Sequence, residues 1–186
     1  MINSVVESFG KTQERIKQIS DGGYGQEDLF RVQNAEKFKK AIEETLKPEP
    51  AEVQERVLAE YFSYGPLDSL FLDEEVSEIL VNGPFAIWYE RNGSLHLFED
   101  QFLSEATYTN CFYRLCENSN CQSTVEYPTA TGHFKDFRLT VIRQELTRNH
   151  HHFSFRRHPK NPWTFKRLQA RGWANTMDVE NLKQLI

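Results

Sequence analysis

The 186 residues are enough for one domain, or for a small helical module beside one compact core. A content of 39% hydrophobic and 13% aromatic residues excludes an intrinsically disordered chain. The longest apolar runs fall far short of the roughly 20 residues that cross a bilayer, and no charged and apolar leader follows Met1. We therefore expect a packed, cytoplasmic protein.

The net charge of -5 hides an uneven distribution along the chain. Residues 1–134 contain 11 Lys and Arg against 23 Asp and Glu, whereas residues 135–186 contain 11 against 4. Such polarity suggests that the carboxy-terminal part meets an anionic partner, which could be a nucleotide phosphate, nucleic acid, lipid head groups or an acidic protein. The alternative is a basic solvated face that packs near an acidic one.

The first 62 residues show the helical spacing of apolar side chains. Three amphipathic helices are predicted, separated by a glycine-rich turn at residues 20–25 and by Lys47-Pro-Glu-Pro50. Gly65-Pro66 then ends the helical module, and one short helical turn follows. The apolar positions of the three helices are Val5, Val6, Phe9, Ile16 and Ile19; Ala35, Phe38, Ala41, Ile42 and Leu46; and Val53, Val57, Leu58, Tyr61 and Phe62.

From Glu78 the pattern changes to short runs rich in Ile, Val, Phe, Trp and Tyr with turn signals such as Arg91-Asn-Gly93, which is typical of strands and hairpins. Ser104 is placed to cap a helix, and Thr164 and Thr176 begin two more. The sequence thus predicts an α+β fold, in which a helical module (1–62) precedes a small, mostly antiparallel sheet flanked by helices (63–186). Strands are predicted near residues 78–82, 85–91, 94–99, 131–135, 137–143 and 151–157.

A phosphate loop requires a strand, a glycine-rich turn whose backbone amides face the phosphates, a Lys and a Ser or Thr. The one Gly-Lys-Thr sequence is Gly10-Lys11-Thr12, where Val5 stands in the place of the first glycine and the surrounding pattern is helical. We interpret this match as a coincidence. No catalytic residue is predicted, and we expect that the chain alone is not an enzyme and needs no cofactor.

The cysteines and histidines lack the spacing of a metal site. Cys111, Cys116 and Cys121 are five residues apart, and on a helix each such step turns the side chain by about 140°. The three adjacent side chains of His150-His-His152 alternate between the faces of a strand, so we interpret them as a polar hairpin end. A Cys/His nucleophile pair could be formed, but no spacing selects one.

Three arginines lie in sequence with the alternation of a strand. Arg138 belongs to Asp136-Phe-Arg-Leu-Thr-Val-Ile142, and Arg156 and Arg157 belong to Phe153-Ser-Phe-Arg-Arg-His-Pro-Lys160. On adjacent strands two guanidinium groups could converge on a polyphosphate, which they bind through charge-assisted bidentate hydrogen bonds. The three arginines are therefore candidate phosphate-binding residues. The alternative is that they pair with the acidic first part of the chain.

An ordered set of motifs from about Val53 to Ile186 resembles the amino-terminal domain of the traffic ATPases of Tad-pilus, type II and type IV secretion systems, most closely the Tad-pilus branch. The set covers about two thirds of the chain, and the given residues contain no stretch that resembles the RecA-like motor domain of that family. The motifs are Tyr64-Gly-Pro-Leu-Asp-Ser-Leu70, Glu78-Ile-Leu-Val-Asn-Gly-Pro84, Trp88-Tyr-Glu-Arg-Asn-Gly93, the strand containing Arg138, and Phe155-Arg-Arg-His-Pro-Lys-Asn-Pro-Trp-Thr164 leading to Leu168 and Gly172.

The resemblance implies that the chain carries half of a nucleotide site. In such proteins ATP lies between the two domains of a hexamer, and arginines of the amino-terminal domain reach its terminal phosphates. By motif position these arginines are Arg138 and Arg156, with Arg157 beside the second. ATP and Mg²⁺ are thus implied only together with a motor domain. The chain departs from the family at Thr131-Gly-His133, which replaces an Asp and an Arg-containing run, and at Arg143-Gln144, which replaces a Pro-Pro pair.

From this resemblance we expect a non-catalytic assembly or regulatory domain of a secretion or pilus system. Its partners would be a motor domain and the inner-membrane platform, at which it could lie peripherally, and it could form a homo-oligomer. One alternative is a stand-alone module that senses a nucleotide or a cyclic dinucleotide. A less favoured alternative is a nucleic-acid-binding domain, in which Phe153, Phe155 and Trp163 would stack on bases.

Overall fold

A computed structural model of the chain describes residues 2–20, 32–158 and 164–184. Helices precede and flank one antiparallel sheet, which confirms the predicted α+β class. The helices are α1 (Ile2–Ile19), α2 (Val32–Leu46), α3 (Ala51–Phe62), α4 (Leu67–Leu72), α5 (Glu105–Asn118), α6 (Gln144–Thr147), α7 (Phe165–Ala170) and α8 (Thr176–Lys183). The strands are β1 (Val76–Val81), β2 (Ile87–Arg91), β3 (Ser94–Leu97), β4 (Thr129–Phe134), β5 (Phe137–Ile142) and β6 (His152–Arg157).

Two predicted features lie outside the described residues. They are the glycine-rich turn after Ser20 and the indole of Trp163. In the part of the chain that is described, no helix has both the length and the apolar content that a membrane span needs.

Helices α1, α2 and α3 pack around an apolar core of their own. Thr12 lies inside this core, where its hydroxyl donates to the carbonyl oxygen of Phe9 at 2.7 Å and lies 2.8 Å from the hydroxyl of Tyr61. Gly10-Lys11-Thr12 is therefore a piece of a packed helix and has no phosphate-loop geometry. The buried members of the core are Val5, Phe9, Ile16, Phe38, Ile42, Leu46, Val53, Val57 and Tyr61.

The described strands form a six-stranded sheet in the order β3-β2-β1-β6-β5-β4, and each neighbouring pair is antiparallel. Alternation buries one face of the sheet against α4 and α5. Phe155 lies 4.9 Å from the ring of Phe71 on α4, and Phe153 stacks at 5.3 Å on Tyr108 of α5. The buried strand residues of this face are Val76, Ile79, Val81, Ile87, Phe134, Phe137, Leu139, Val141, Phe153 and Phe155.

Local sequence signals explain how the sheet and α5 begin and turn. Asn92 and Gly93 both have positive φ, 53° and 77°, as a tight two-residue hairpin between β2 and β3 requires. Ser104 caps α5, because its side chain accepts from the N–H of Thr107, whose own side chain accepts from the N–H of Ser104. Both features agree with the sequence prediction.

The histidine run is not the polar hairpin end that we predicted. His151 is only 2% exposed and stacks on Phe112 with ring centroids 3.8 Å apart. Its Nδ1 accepts the N–H of Gln144, the first residue of the short helix α6, which the sequence did not predict. Burial lowers the pKa of His151 to about 4, so the imidazole is neutral and belongs to the core.

A buried carboxyl group joins the helical core to the sheet core. Glu60 of α3 accepts the N–H of Leu103 at 2.5 Å and lies 3.3 Å from Arg56. Arg56 in turn donates to the carboxylate of Asp100 at 2.6 Å and to the carbonyl oxygen of Gln101 at 2.7 Å. Burial raises the pKa of Glu60 to about 7, although the charge of Arg56 acts in the opposite direction.

Gly65 makes room for this carboxyl group. A Cβ at this position would lie 2.8 Å from Oε2 of Glu60 and 3.1 Å from the ring of Phe102. Its φ of +60° also lies in the left-handed region that glycine adopts without strain. The Tyr64-Gly-Pro66 sequence therefore has a structural reason, which is the close approach of the chain to the Glu60 junction.

We predict that Glu60→Gln flattens the pH dependence of stability. The folded protein holds the Glu60 proton up to about pH 7, whereas the ordinary pKa is 4.5, so the free energy of unfolding decreases as pH rises between these values. Relative to the variant, the parent should lose on the order of 3 kcal/mol across that window. Urea unfolding of both proteins at either end of the window measures the difference, and the contribution of His151 cancels because both contain it. Equal pH slopes in the two proteins would contradict the role assigned to Glu60.

Candidate anion-binding site

Arg138 and Arg156 are direct register partners on the adjacent strands β5 and β6. Their neighbours Phe137, Leu139 and Phe155 are fully buried, so alternation places both arginines on the outer face of the sheet. Both are exposed. Directly opposed side chains have Cβ atoms about 4.5–5.5 Å apart, and the two guanidinium groups can therefore reach one anion together.

The arginine pair is part of a charged row that crosses the outer face. Register partners from β2 to β4 give the order Glu90, Glu78, Arg156, Arg138, His133. The row is acidic at one end and basic at the other. Among the described residues neither Arg138 nor Arg156 forms an ion pair, and like charges that face each other directly are destabilising. An anion held between the two arginines would remove that repulsion.

Arg157 has a different position from its neighbour. Its guanidinium donates to the carbonyl oxygens of Val76 at 2.7 Å and Asp73 at 2.8 Å and forms an ion pair with Asp136. It also lies over the ring of Phe137, 4.2 Å from the centroid. These contacts occupy the donors of Arg157 within the fold. Successive residues on a strand point to opposite faces, so strand alternation alone would have separated Arg156 from Arg157.

Cys111 and Cys116 are poor candidates for a nucleophile in the structure. Burial raises the pKa of Cys111 well above its ordinary value and that of Cys116 to about 11, which leaves protonated, poorly nucleophilic thiols. Across residues 2–20, 32–158 and 164–184, no group of three or more His, Cys, Asp or Glu side chains is arranged to hold a metal ion.

The proposed base-stacking surface is wrong for its two described members. Phe153 and Phe155 are 2% and 0% exposed, because both point into the sheet core. Aromatic rings that stack on bases must be accessible on the protein surface. The nucleic-acid alternative therefore loses two of the three stacking residues on which it depended.

Comparisons with known proteins find a likeness among solved structures and none among family profiles or curated proteins. The chain is similar to the VirB11 ATPase from the Brucella suis type IV secretion system, whose structure was solved in complex with sulphate, with a TM-score of 0.46 and 14% identity. The match covers 58% of this chain and 34% of the VirB11 chain, so this chain spans about a third of the length of VirB11. A likeness of this size does not define a function.

Because Arg156 and Arg157 are neighbours with different surroundings, their alanine variants test how much each side chain contributes to stability. We predict that Arg157→Ala lowers the free energy of unfolding by about 2–3 kcal/mol, because it removes the donors that bind two partly buried backbone carbonyl oxygens and Asp136. Arg156→Ala should change it by no more than about 0.5 kcal/mol, because the side chain is exposed and faces another arginine. Chemical denaturation of the two variants measures both values. Equal losses would show that the two arginines do not differ in this way.

Proposed function

We propose that this chain is a non-catalytic assembly or regulatory domain of a secretion or pilus traffic ATPase system, and that Arg138 and Arg156 supply charge to a nucleotide site shared with a motor domain. The observation that carries the proposal is the exposed arginine pair in register on β5 and β6, without an ion-pair partner among the described residues. The motifs around both strands resemble those of the amino-terminal domains of such ATPases. Arg157 is not included, because its donors are used within the fold.

The proposed chemistry is electrostatic. Guanidinium groups bind phosphate oxygens through paired, charge-assisted hydrogen bonds, and charge placed beside a terminal phosphate stabilises its transfer. β6 pairs with a strand on each side and β5 does so as well, so the sheet holds the arginine backbones in place. The sequence has no phosphate-loop motif, and the partner domain would therefore supply the Mg²⁺ ligands and the remaining phosphate contacts.

The helical module would serve assembly in this proposal. Helices α1 to α3 have a core of their own and meet the sheet domain at Glu60, so they can present a surface to other components without disturbing the arginine strands. We propose the motor domain and the inner-membrane platform as the partners, with peripheral attachment at the membrane. Several copies would place each arginine pair at an interface between subunits.

We predict weak, arginine-dependent binding of ATP by the isolated chain. Two exposed Arg–phosphate contacts correspond to a dissociation constant on the order of 1 mM. Binding should disappear in the Arg138→Ala/Arg156→Ala double variant, and neither protein should release phosphate from ATP. Titration calorimetry and a phosphate-release assay measure these quantities, and Lys47→Ala, an exposed residue directly after α2, is a control for the loss of one positive charge in each single arginine variant.

Results that differ from this prediction would change the proposal in different ways. Micromolar or tighter, arginine-dependent binding of ATP or of a cyclic dinucleotide would favour a stand-alone sensor. ATP hydrolysis that the double variant lacks would make the chain an enzyme. An isolated chain that binds no phosphate compound, or that binds equally without the two arginines, would remove the nucleotide site from the proposal.

A further inference from the structure

We infer that His133 and His158 complete the arginine pair as a four-residue site for a chain of several phosphate groups, and that the site takes up protons as it binds. The inference rests on the proposed function, because it concerns the same surface. It adds two residues to that site and a dependence on pH that the arginine pair alone would not have.

The two histidines lie beside the arginines on the same face. His133 on β4 is the register partner of Arg138, and His158 follows Arg156 by two residues, which returns the side chain to the same side of the chain. The N–H of His158 donates to the carbonyl oxygen of Asp136 at 2.9 Å, which ties this residue to the end of β5. The two imidazole rings stack at 5.5 Å with an interplanar angle of 13°.

The number of these groups favours a ligand with more than one phosphate. The side chains come from three neighbouring strands, β6, β5 and β4, whose outer two backbones are two strand spacings or about 9.6 Å apart. The stacked imidazoles are a second group of possible donors on this face, beside the arginine pair. A diphosphate or triphosphate chain can lie along the row and contact both pairs.

The charges around the imidazoles favour proton uptake when an anion binds. Two parallel imidazoles repel each other when both are protonated, and Arg138 and Arg156 add two positive charges beside them. Of the nearby acids, Asp136 is paired with Arg157. A bound polyphosphate supplies the missing negative charge, so protonated histidines become favourable and donate hydrogen bonds to it.

Two further charged residues, Glu78 and Lys135, lie near the site, and the positive charge around the imidazoles still exceeds the negative charge. Glu78 on β1 is the register partner of Arg156 on the side away from Arg138, so it offsets part of the charge of Arg156 and is three strands from His133 on β4. Lys135, in the turn between β4 and β5, lies over the rings of Phe71 and Phe134. The imidazoles therefore have mostly positive neighbours on their own side of the row, as an anion site requires.

The pH dependence separates this site from one made of arginines alone. Phosphate groups lose their last proton near pH 6, so polyphosphates become more negative between about pH 6 and pH 8. Arginines keep their charge over this range, and an arginine-only site would bind equally well or more tightly at the higher pH. A site that includes histidines should instead bind more tightly at the lower pH, because a protonated imidazole adds positive charge and a second hydrogen-bond donor.

The experiment is titration calorimetry of the whole chain with tripolyphosphate, pyrophosphate and inorganic phosphate, at about pH 6 and about pH 8 and constant ionic strength. We expect tripolyphosphate affinity to be about tenfold higher at the lower pH, and inorganic phosphate affinity to change much less. His133→Asn/His158→Asn should keep the binding seen at the higher pH and lose the gain. His96→Asn, an exposed histidine on the edge strand β3, is the matched control.

The outcomes distinguish the inference from the proposed function. If the double histidine variant keeps the full gain while Arg138→Ala/Arg156→Ala abolishes binding, the inference is wrong and the proposed function stands. If the arginine variant binds as well as the parent, the proposed function fails. If the parent binds none of the three anions at either pH, both fail. His133 and His158 are exposed, so their variants should fold, and the parent titrations alone already decide the sign of the pH effect.

Discussion

The pairing of β1 with β6 is the constraint on which the sheet depends. β2 and β3 follow β1 directly, whereas β5 and β4 precede β6, so this pairing joins two antiparallel halves that are distant in sequence. Its register sets Ile79 opposite Phe155 and Val81 opposite Phe153, all four in the core. A shift by one residue would turn these side chains outward and bring charged ones inward. The position of the candidate site therefore depends on core packing in the middle of the sheet.

The same register places the adjacent residues Arg156 and Arg157 on opposite faces of the sheet, where they make different contacts. Arg156 follows buried Phe155 and points outward, and Arg157 returns to the other side, where it binds the backbone of the segment that leads into β1. The contacts of Arg157 hold the end of β6 against β1 and the turn at Asp136. A residue whose donors are all used within the fold can thus support the neighbouring side chain whose donors face the surface. This arrangement explains how an exposed arginine pair can have a well-defined position.

Local signals in the sequence predicted the helices, strands and turns. Contacts between residues that are distant in sequence determine which side chains are buried and which strands pair. Ser104 and Asn92-Gly93 act through hydrogen bonds and backbone angles within a few residues, so their effects could be predicted. His151 could not be placed in this way, because its burial depends on Phe112, which lies on a different element. The sequence predicted both arginine strands, whereas their pairing and register, and hence the row that ends at His133, required the three-dimensional structure. Binding of phosphate by Arg138 and Arg156 stays a prediction.

The arginine pair sets like charges directly opposite each other, as Glu78 and Glu90 do in the acidic half of the row. Other outer positions of the central strands carry Ser154, Thr140 and Leu80, which tolerate one another as cross-strand neighbours, whereas Arg138 faces Arg156 and lies beside His133. Local violations of stability rules tend to occur at functional sites, where a ligand or partner supplies what the free protein lacks. Negative charge is what this end of the row lacks. When positive side chains repel one another in the empty site, the affinity for a ligand increases with the ligand's negative charge. A phosphate chain is therefore favoured over a single carboxylate or a neutral ligand.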